Sequence, residues 1–222
     1  MKLTRDAFEA RFREYRAALN TEIGRFRDAA SVLRQISERT HDYLAEINLA
    51  PAFFHTVENS LLTKVILWAD KMFDEKGERG LFNFLSLIEN NREWMTIQEL
   101  QRRKNYEDGH WMLRPENRGQ PITAQSIEED RQRVRGLAAL RSISLLRDKF
   151  HAHFDEDYFF DRDKLQAEAP IDWAGLTEVG NVMTTMLNNY SADFDGELFA
   201  GEAIGIDDLT RLLHAARKGN RK

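Results

Sequence analysis

Across residues 8–47 the positions Phe8, Phe12, Tyr15, Leu19, Ile23, Phe26, Ala30, Leu33, Ser37, Thr40, Leu44 and Ile47 follow one another almost wholly in steps of three or four. That spacing keeps one face of an α-helix on a single stripe and does not match the two-residue period of a half-buried strand. At 1.5 Å per residue, forty residues of unbroken helix would run roughly 60 Å, farther than a domain of this size covers with its own core. The segment is therefore expected either to break, at Gly24 or the Asn20-Thr21 pair, or to pack its far half on the C-terminal helices or on another subunit.

The same periodicity continues down the chain. Asn48-Leu49-Ala50-Pro51 ends the first segment, because proline drives the preceding residue out of the helical region and suits the first turn of a new helix. The stripe Val57, Leu61, Val65, Trp68 and Met72 predicts a second helix closing near Gly77, and Leu81, Phe84, Leu85 and Ile88 predict a short third one. Residues 104–122 hold two Gly and two Pro and read as the longest irregular connection. The run from Thr123 to Glu129 carries a capping signal for a long helix expected over 124–154. After the acidic and aromatic stretch 155–163 and a break at Pro170, a helix over 172–192 presents Leu176, Val179, Val182, Met183, Met186 and Leu187. A final helix after Asp207-Asp208 is expected to turn Leu209, Leu212, Leu213 and Ala216 inward. No strand-period segment, internal repeat or low-complexity tract stands out. These readings make the chain all-α, one domain over residues 1–222, with residues 1–47 as a long N-terminal helical segment.

At 222 residues such a chain can bury roughly 70% of its unfolded surface and needs no staples. Cysteine is absent, which removes disulfides, thiolate nucleophiles and cysteine-ligated metal, and fits a reducing compartment. The opening Met1-Lys2-Leu3-Thr4-Arg5-Asp6 has no apolar core of a secretory signal. The most hydrophobic stretch, 61–69, contains Lys64 and is far short of the ~20 apolar residues of a membrane span. A cytoplasmic protein without membrane contact is the expectation. The net charge of −5 argues against a nonspecific nucleic-acid coat, yet its placement is uneven: residues 102–149 hold 11 Lys/Arg against 7 Asp/Glu, 150–210 hold 2 against 14, and the last twelve hold 5 against none. Solvated helix faces account for this pattern, and a local phosphate-binding surface is the sharper alternative.

The densest chemistry is Leu145-Leu146-Arg147-Asp148-Lys149-Phe150-His151-Ala152-His153-Phe154-Asp155, one guanidinium, two imidazoles and two carboxylates in eleven residues. Arg147-Asp148 followed by His153, with five residues between Arg147 and His153, resembles the signature of the HEPN superfamily of helical domains. The Arg-Asp-Lys followed by Ala-His and an acidic residue looks like the abortive-infection AbiU-like group of that superfamily. The resemblance implies a HEPN-like helical bundle with metal-independent ribonuclease activity and no cofactor, typical of toxin and phage-defence systems. It also implies a homodimer in which arginine and histidine of two subunits meet, with RNA as substrate and a cognate antitoxin as a further partner.

The physics of that chemistry is coherent. Attack of a 2′-hydroxyl on its neighbouring phosphate needs one group to move protons and another to stabilise charge on the phosphoryl oxygens. Histidine, with an unperturbed pKa near 6.5, does the first, and a positioned general acid or base is worth roughly 10²- to 10⁴-fold. Arginine stays protonated and binds phosphate oxygens through a planar fork. The expectation gives proton transfer to His153, charge stabilisation to Arg147, orientation of one of them to Asp148, and substrate binding to Lys149 and His151. On an α-helical wheel, however, Arg147 lies about 40° from His151 and about 120° from His153. Either the arginine reaches round, the helix is distorted, or the partners belong to different subunits, so His151 stands beside His153 as the functional histidine.

Competing readings use the same residues. His153, beside the apolar positions Ile143, Leu146, Phe150 and Phe154, also fits a hydrogen-bonded core histidine, and Arg147 also fits a partner for a carboxylate on a neighbouring helix. The pairs His151/Asp155 and His153/Asp157 have i, i+4 metal-ligand spacing, but one helix does not aim both at a single ion, and no metal is expected. His41, His55, His110 and His214 show no ligand spacing. A non-catalytic HEPN-like module binding a nucleotide, RNA or protein is the alternative function, and a purely structural helical protein the third.

Overall fold

The N-terminal stripe forms a single uninterrupted helix, α1 (Arg5–Arg39). In this computed structural model, which describes residues 2–114, 116, 121–151, 155–159, 161–200, 203 and 207–219 except the side chains of Phe150, His151, Asp157, Phe159 and Arg162, no break occurs at Asn20, Thr21 or Gly24. An interior glycine costs only about 1 kcal/mol of helix propensity, and the buried Ile23 and Phe26 on either side outweigh that. The break comes later, at residues 40–43, before the four-residue α2 (Leu44–Ile47). The first 47 residues are thus two helices. The buried stripe also drifts: Ile36 is buried where the three-four count picked Ser37, and Tyr43 is buried while Leu44 is 53% exposed. A straight helix has 3.6 residues per turn, so a seam counted at 3.5 slips over many turns.

Helix α3 (Pro51–Phe73) begins on its proline as expected, and its best-buried residues are Val65, Ile66, Ala69 and Met72. It stops at Phe73, short of Gly77, where the Asp74 carboxylate accepts the Lys76 amide at 2.9 Å. Helix α4 (Leu81–Asn90) is followed by a 3-10 turn and by α5 (Ile97–Lys104), capped by Thr96. The long helix expected over 124–154 is two helices, α6 (Ala124–Arg135) and α7 (Ala138–Leu146). Thr123 and Ser126 form the capping box of α6, and the Gly136 amide still donates to Gln132 at 2.9 Å before the chain steps aside to bury Leu137. Helices α8 (Glu156–Phe159), α9 (Arg162–Glu168), α10 (Trp173–Asp195) and α11 (Asp208–Gly219) complete the chain. The fold is all-α, and among the described residues there is no strand and no helix long and apolar enough to cross a membrane.

Contacts divide the chain into two units. The first comprises Met1–Ile23, Lys71–Ala138 and Glu178–Ala200. Its core is aromatic: Phe12 stacks on Phe194 at 4.0 Å, and Phe84 lies 5.2 Å from Phe12 and edge-on to Tyr190. A buried ionic layer adjoins it. Arg16 donates to Asp195 at 2.5 Å, while Arg103 lies 4.2 Å over Phe194 and donates to Glu9 and to the carbonyls of Phe194 and Trp94. Burial lowers the Arg103 pKa to about 10, still far above neutrality, so this arginine carries its charge inside and its hydrogen bonds offset the desolvation.

The second unit comprises Gly24–Asp70, Ala139–Thr177 and Gly201–Lys222. One cluster gathers Ile36, Tyr43, Ile47, Phe54 and Leu213, joining α1, α2, α3 and α11. Arg217 fastens α11 through a bidentate pair with the buried Glu46 at 2.9 and 3.0 Å and sits 4.1 Å over the Tyr43 ring. Of the four α11 positions expected inward, Leu213 is buried and Leu209 and Ala216 are half-buried, but Leu212 is 60% exposed. The inward arc of this twelve-residue helix is narrower than the four positions spanned. A second cluster, Tyr158, Leu165 and Ala169 with Leu145 and Leu146 against it, packs the end of α7 against α8 and α9.

Candidate functional site

Helix α7 buries Ala139 and Ile143 on one face, and that burial fixes where its C-terminal end presents Arg147. From Arg147 to His151 the backbone changes to π winding. A π turn bonds each amide five residues back instead of four, inserting one residue into the helical register, and such turns concentrate at functional sites. The 100° wheel that separated Arg147 from His153 ceases to apply at Leu146. Beyond the turn the Asp155 amide donates to the Lys149 carbonyl at 3.2 Å, and Asp155 accepts the Tyr158 amide to open α8.

Arg147 is held from two sides. Its Nη1 donates to Asp70 Oδ2 at 2.7 Å, across to α3, and its Nε lies 2.6 Å from Asp148 Oδ1. The second contact is close but poorly aligned for an N–H···O bond, leaving the buried Nε without a well-directed acceptor. Nη2 donates to none of the described residues. Burial opposes the charge, but the pull of Asp148 and Asp70 outweighs it, and the guanidinium pKa is raised above its ordinary value. The carboxylate-partner reading of Arg147 is therefore realised. About a third of the side chain, 31%, remains exposed, so the pairing does not seal it from solvent.

Lys149 Nζ pairs with Asp155 Oδ2 at 2.7 Å and lies 5.9 Å from the Tyr158 ring. The five described charges, Asp70, Arg147, Asp148, Lys149 and Asp155, leave one negative charge. His153 and Phe154 lie outside the described residues, and His151 is described in its backbone alone. The structure pairs Arg147 with Asp148 and Lys149 with Asp155, and adds Asp70 on Arg147, which the sequence reading missed. A signal for it was present: Asp70 ends the apolar run 65–69, and a carboxylate there is forced half into the core, where it requires a partner. Among the described residues no group of His, Asp and Glu has metal-site geometry.

The helical layout and the Arg147 turn can be set against known families. The family model described as AbiU2, a HEPN-type model, matches residues 9–212. The chain belongs to the HEPN AbiU2 family. The match takes in every helix except the first residues of α1 and the end of α11, so family membership rests on nearly the whole sequence and not on the Arg147 motif alone. Neither the curated proteins nor the solved structures give a match. As a HEPN AbiU2 chain it is associated with abortive infection, and its Arg147-Asp148 sits on a distorted turn that an ideal helix does not reproduce.

Proposed function

We propose that this HEPN AbiU2 chain is a metal-independent endoribonuclease acting as a homodimer, a toxin or phage-defence component with a cognate antitoxin. The observation that carries this reading is the Arg147 guanidinium: kept charged by Asp70 and Asp148, partly exposed, and with Nη2 uncommitted among the described residues. A fork held in this way meets a phosphoryl oxygen without first being ordered. His153 takes the proton of the attacking 2′-hydroxyl, its oxygen bonds to phosphorus, and the bond to the 5′-oxygen breaks as that oxygen receives a proton. A 2′,3′-cyclic phosphate and a 5′-hydroxyl result. Asp148 orients Arg147, and Lys149 and His151 contact the flanking phosphates.

One observation favours a second reading. Two carboxylates flank Arg147, and the five described charges Asp70, Arg147, Asp148, Lys149 and Asp155 sum to −1, which suits a non-catalytic module that binds a nucleotide, RNA or protein. Incubating the purified protein with total RNA in excess chelator separates the two. Cleavage is expected, lost in Arg147→Ala and reduced roughly 10²- to 10⁴-fold in His153→Ala. Arg147→Lys, which keeps a charge to answer Asp70, tests the fork itself. Cleavage persisting in both alanine variants defeats the ribonuclease reading, and RNA binding without cleavage favours the module.

A further inference from the structure

In the second unit, Glu58, Asn59, Leu62, Thr63 and Ile66 lie along one face of α3 and form the floor of a cavity of about 910 Å³. Eight steps of 1.5 Å from Glu58 to Ile66 make that floor roughly 12 Å long. Leu33, Leu146, Leu165 and Leu176 bring apolar walls from α1, α7, α9 and α10. Volume and lining both match a site for one small molecule, an apolar chamber with a few polar groups.

The polar groups choose its charge. Glu58 is half-buried, and its carboxylate meets no partner among the described residues. Asp172 also lines the cavity, and its Oδ1 accepts the Gly175 amide at 2.7 Å. Trp173 adds an aromatic face, and among the described residues no lysine, arginine or histidine lines the space. Two carboxylates over low-dielectric walls attract a cation and repel an anion, and an indole face adds to the attraction. We infer that this cavity receives a small amphipathic organic cation, its aliphatic body along Leu62, Ile66 and Leu146 and its ammonium group toward Glu58 and Asp172. Leu146 immediately precedes Arg147 and Ile66 stands one turn before Asp70, so the occupant lies beside the residues that lead into the Arg147–Asp70 pair. The inference does not depend on the chain being a ribonuclease.

The probes are n-decylammonium and decanoate, equal in length and opposite in charge, titrated calorimetrically into the full-length protein below their aggregation concentrations. Saturable one-site binding is expected, at least about tenfold tighter for the ammonium. In the double variant Glu58→Gln/Asp172→Asn the two probes should bind within about twofold of each other, since asparagine still caps α10 and only charge is removed. Asn59→Trp, at an exposed floor position, should weaken both probes together. Equal binding of the two ions by the unaltered protein overturns the inference. So does ammonium binding that survives both variants, which places it elsewhere on the surface, and so does no saturable binding of either probe.

Discussion

A carboxylate that ends an apolar helical run with only 11% of its side chain exposed has little water to stabilise it, and Arg147 takes that role from 77 residues away. Asp148, 54% exposed, keeps its hydration whether or not the arginine is there. The two substitutions should therefore differ. Asp70→Asn is expected to lower the unfolding free energy by about 1–3 kcal/mol, because it leaves a partly buried guanidinium without its aligned partner. Asp148→Asn should cost less than about 1 kcal/mol, as an exposed pair does. Urea melts at neutral pH measure both, and equal losses would show that Asp70 does not anchor the turn. In the first unit, Tyr190 donates to Asp130 at 2.7 Å, and burial followed by that carboxylate raises its pKa above the ordinary phenol value. Above pH 10 the unfolded chain releases this proton while the folded one keeps it, so folding stability falls as pH rises. The slope from this one group is about 1.4 kcal/mol per pH unit. Tyr190→Phe should remove that part of the slope in unfolding curves taken between pH 8 and 11, and a slope identical in both proteins would assign the loss to other groups.

Glycines at the element scale show how the same residue has opposite consequences in two helices. Gly24 lies within α1 with nothing inside 4 Å of where a Cβ would stand, whereas a Cβ on Gly175 in α10 would come within 2.9 Å of the Ala139 Cβ on α7. Gly24→Ala should stabilise by about 0.5–1 kcal/mol through helix propensity. Gly175→Ala should destabilise by about 1–3 kcal/mol, because a methyl there forces α7 and α10 apart. Thermal melts of the two variants should move in opposite directions. This contrast also marks what a sequence reveals. Gly24 and Gly175 look alike as letters, and of the two alternatives left open for the first segment the break at Gly24 does not occur, because local propensity yields to the burial of Ile23 and Phe26, while Ile36 in the far half of α1 packs with Leu213 of α11. Periodicity located α1, α3, α4, α10 and α11, since each repeats one buried face over several turns. It joined α6 to α7, since the step at Gly136 retains an α-type bond to Gln132 and breaks the pattern by only one turn. The motif at Arg147 was legible as residue types in order. A distorted helix was one of the alternatives its wheel left open and Asp70 signalled a need for a partner, but the π form and the pairing of Arg147 with Asp70 were not legible, because they depend on tertiary contacts between segments far apart in the chain.

At the scale of the whole molecule, several of the cations between 102 and 149 are answered by carboxylates in the fold. Arg102 and Arg103 meet Glu9, Arg131 meets Glu89 at 2.7 Å, Arg135 meets Glu75 at 2.8 Å, and Arg147 meets Asp70. Arginines engaged in this way are less available to a polyanion than unpaired ones. RNA held by Arg147 and Lys149 would then release few counterions, and each phosphate contact on a single strand contributes about −0.7 to the slope of log K against log salt. For the cleavage-deficient His153→Ala variant binding a single-stranded oligoribonucleotide, the slope should lie between about −1 and −2 over 50–200 mM salt. Fluorescence anisotropy measures it. A slope of about −5 or steeper would mean that RNA lies on an extended cationic surface, and the Arg147 turn would then be a minor part of the binding site.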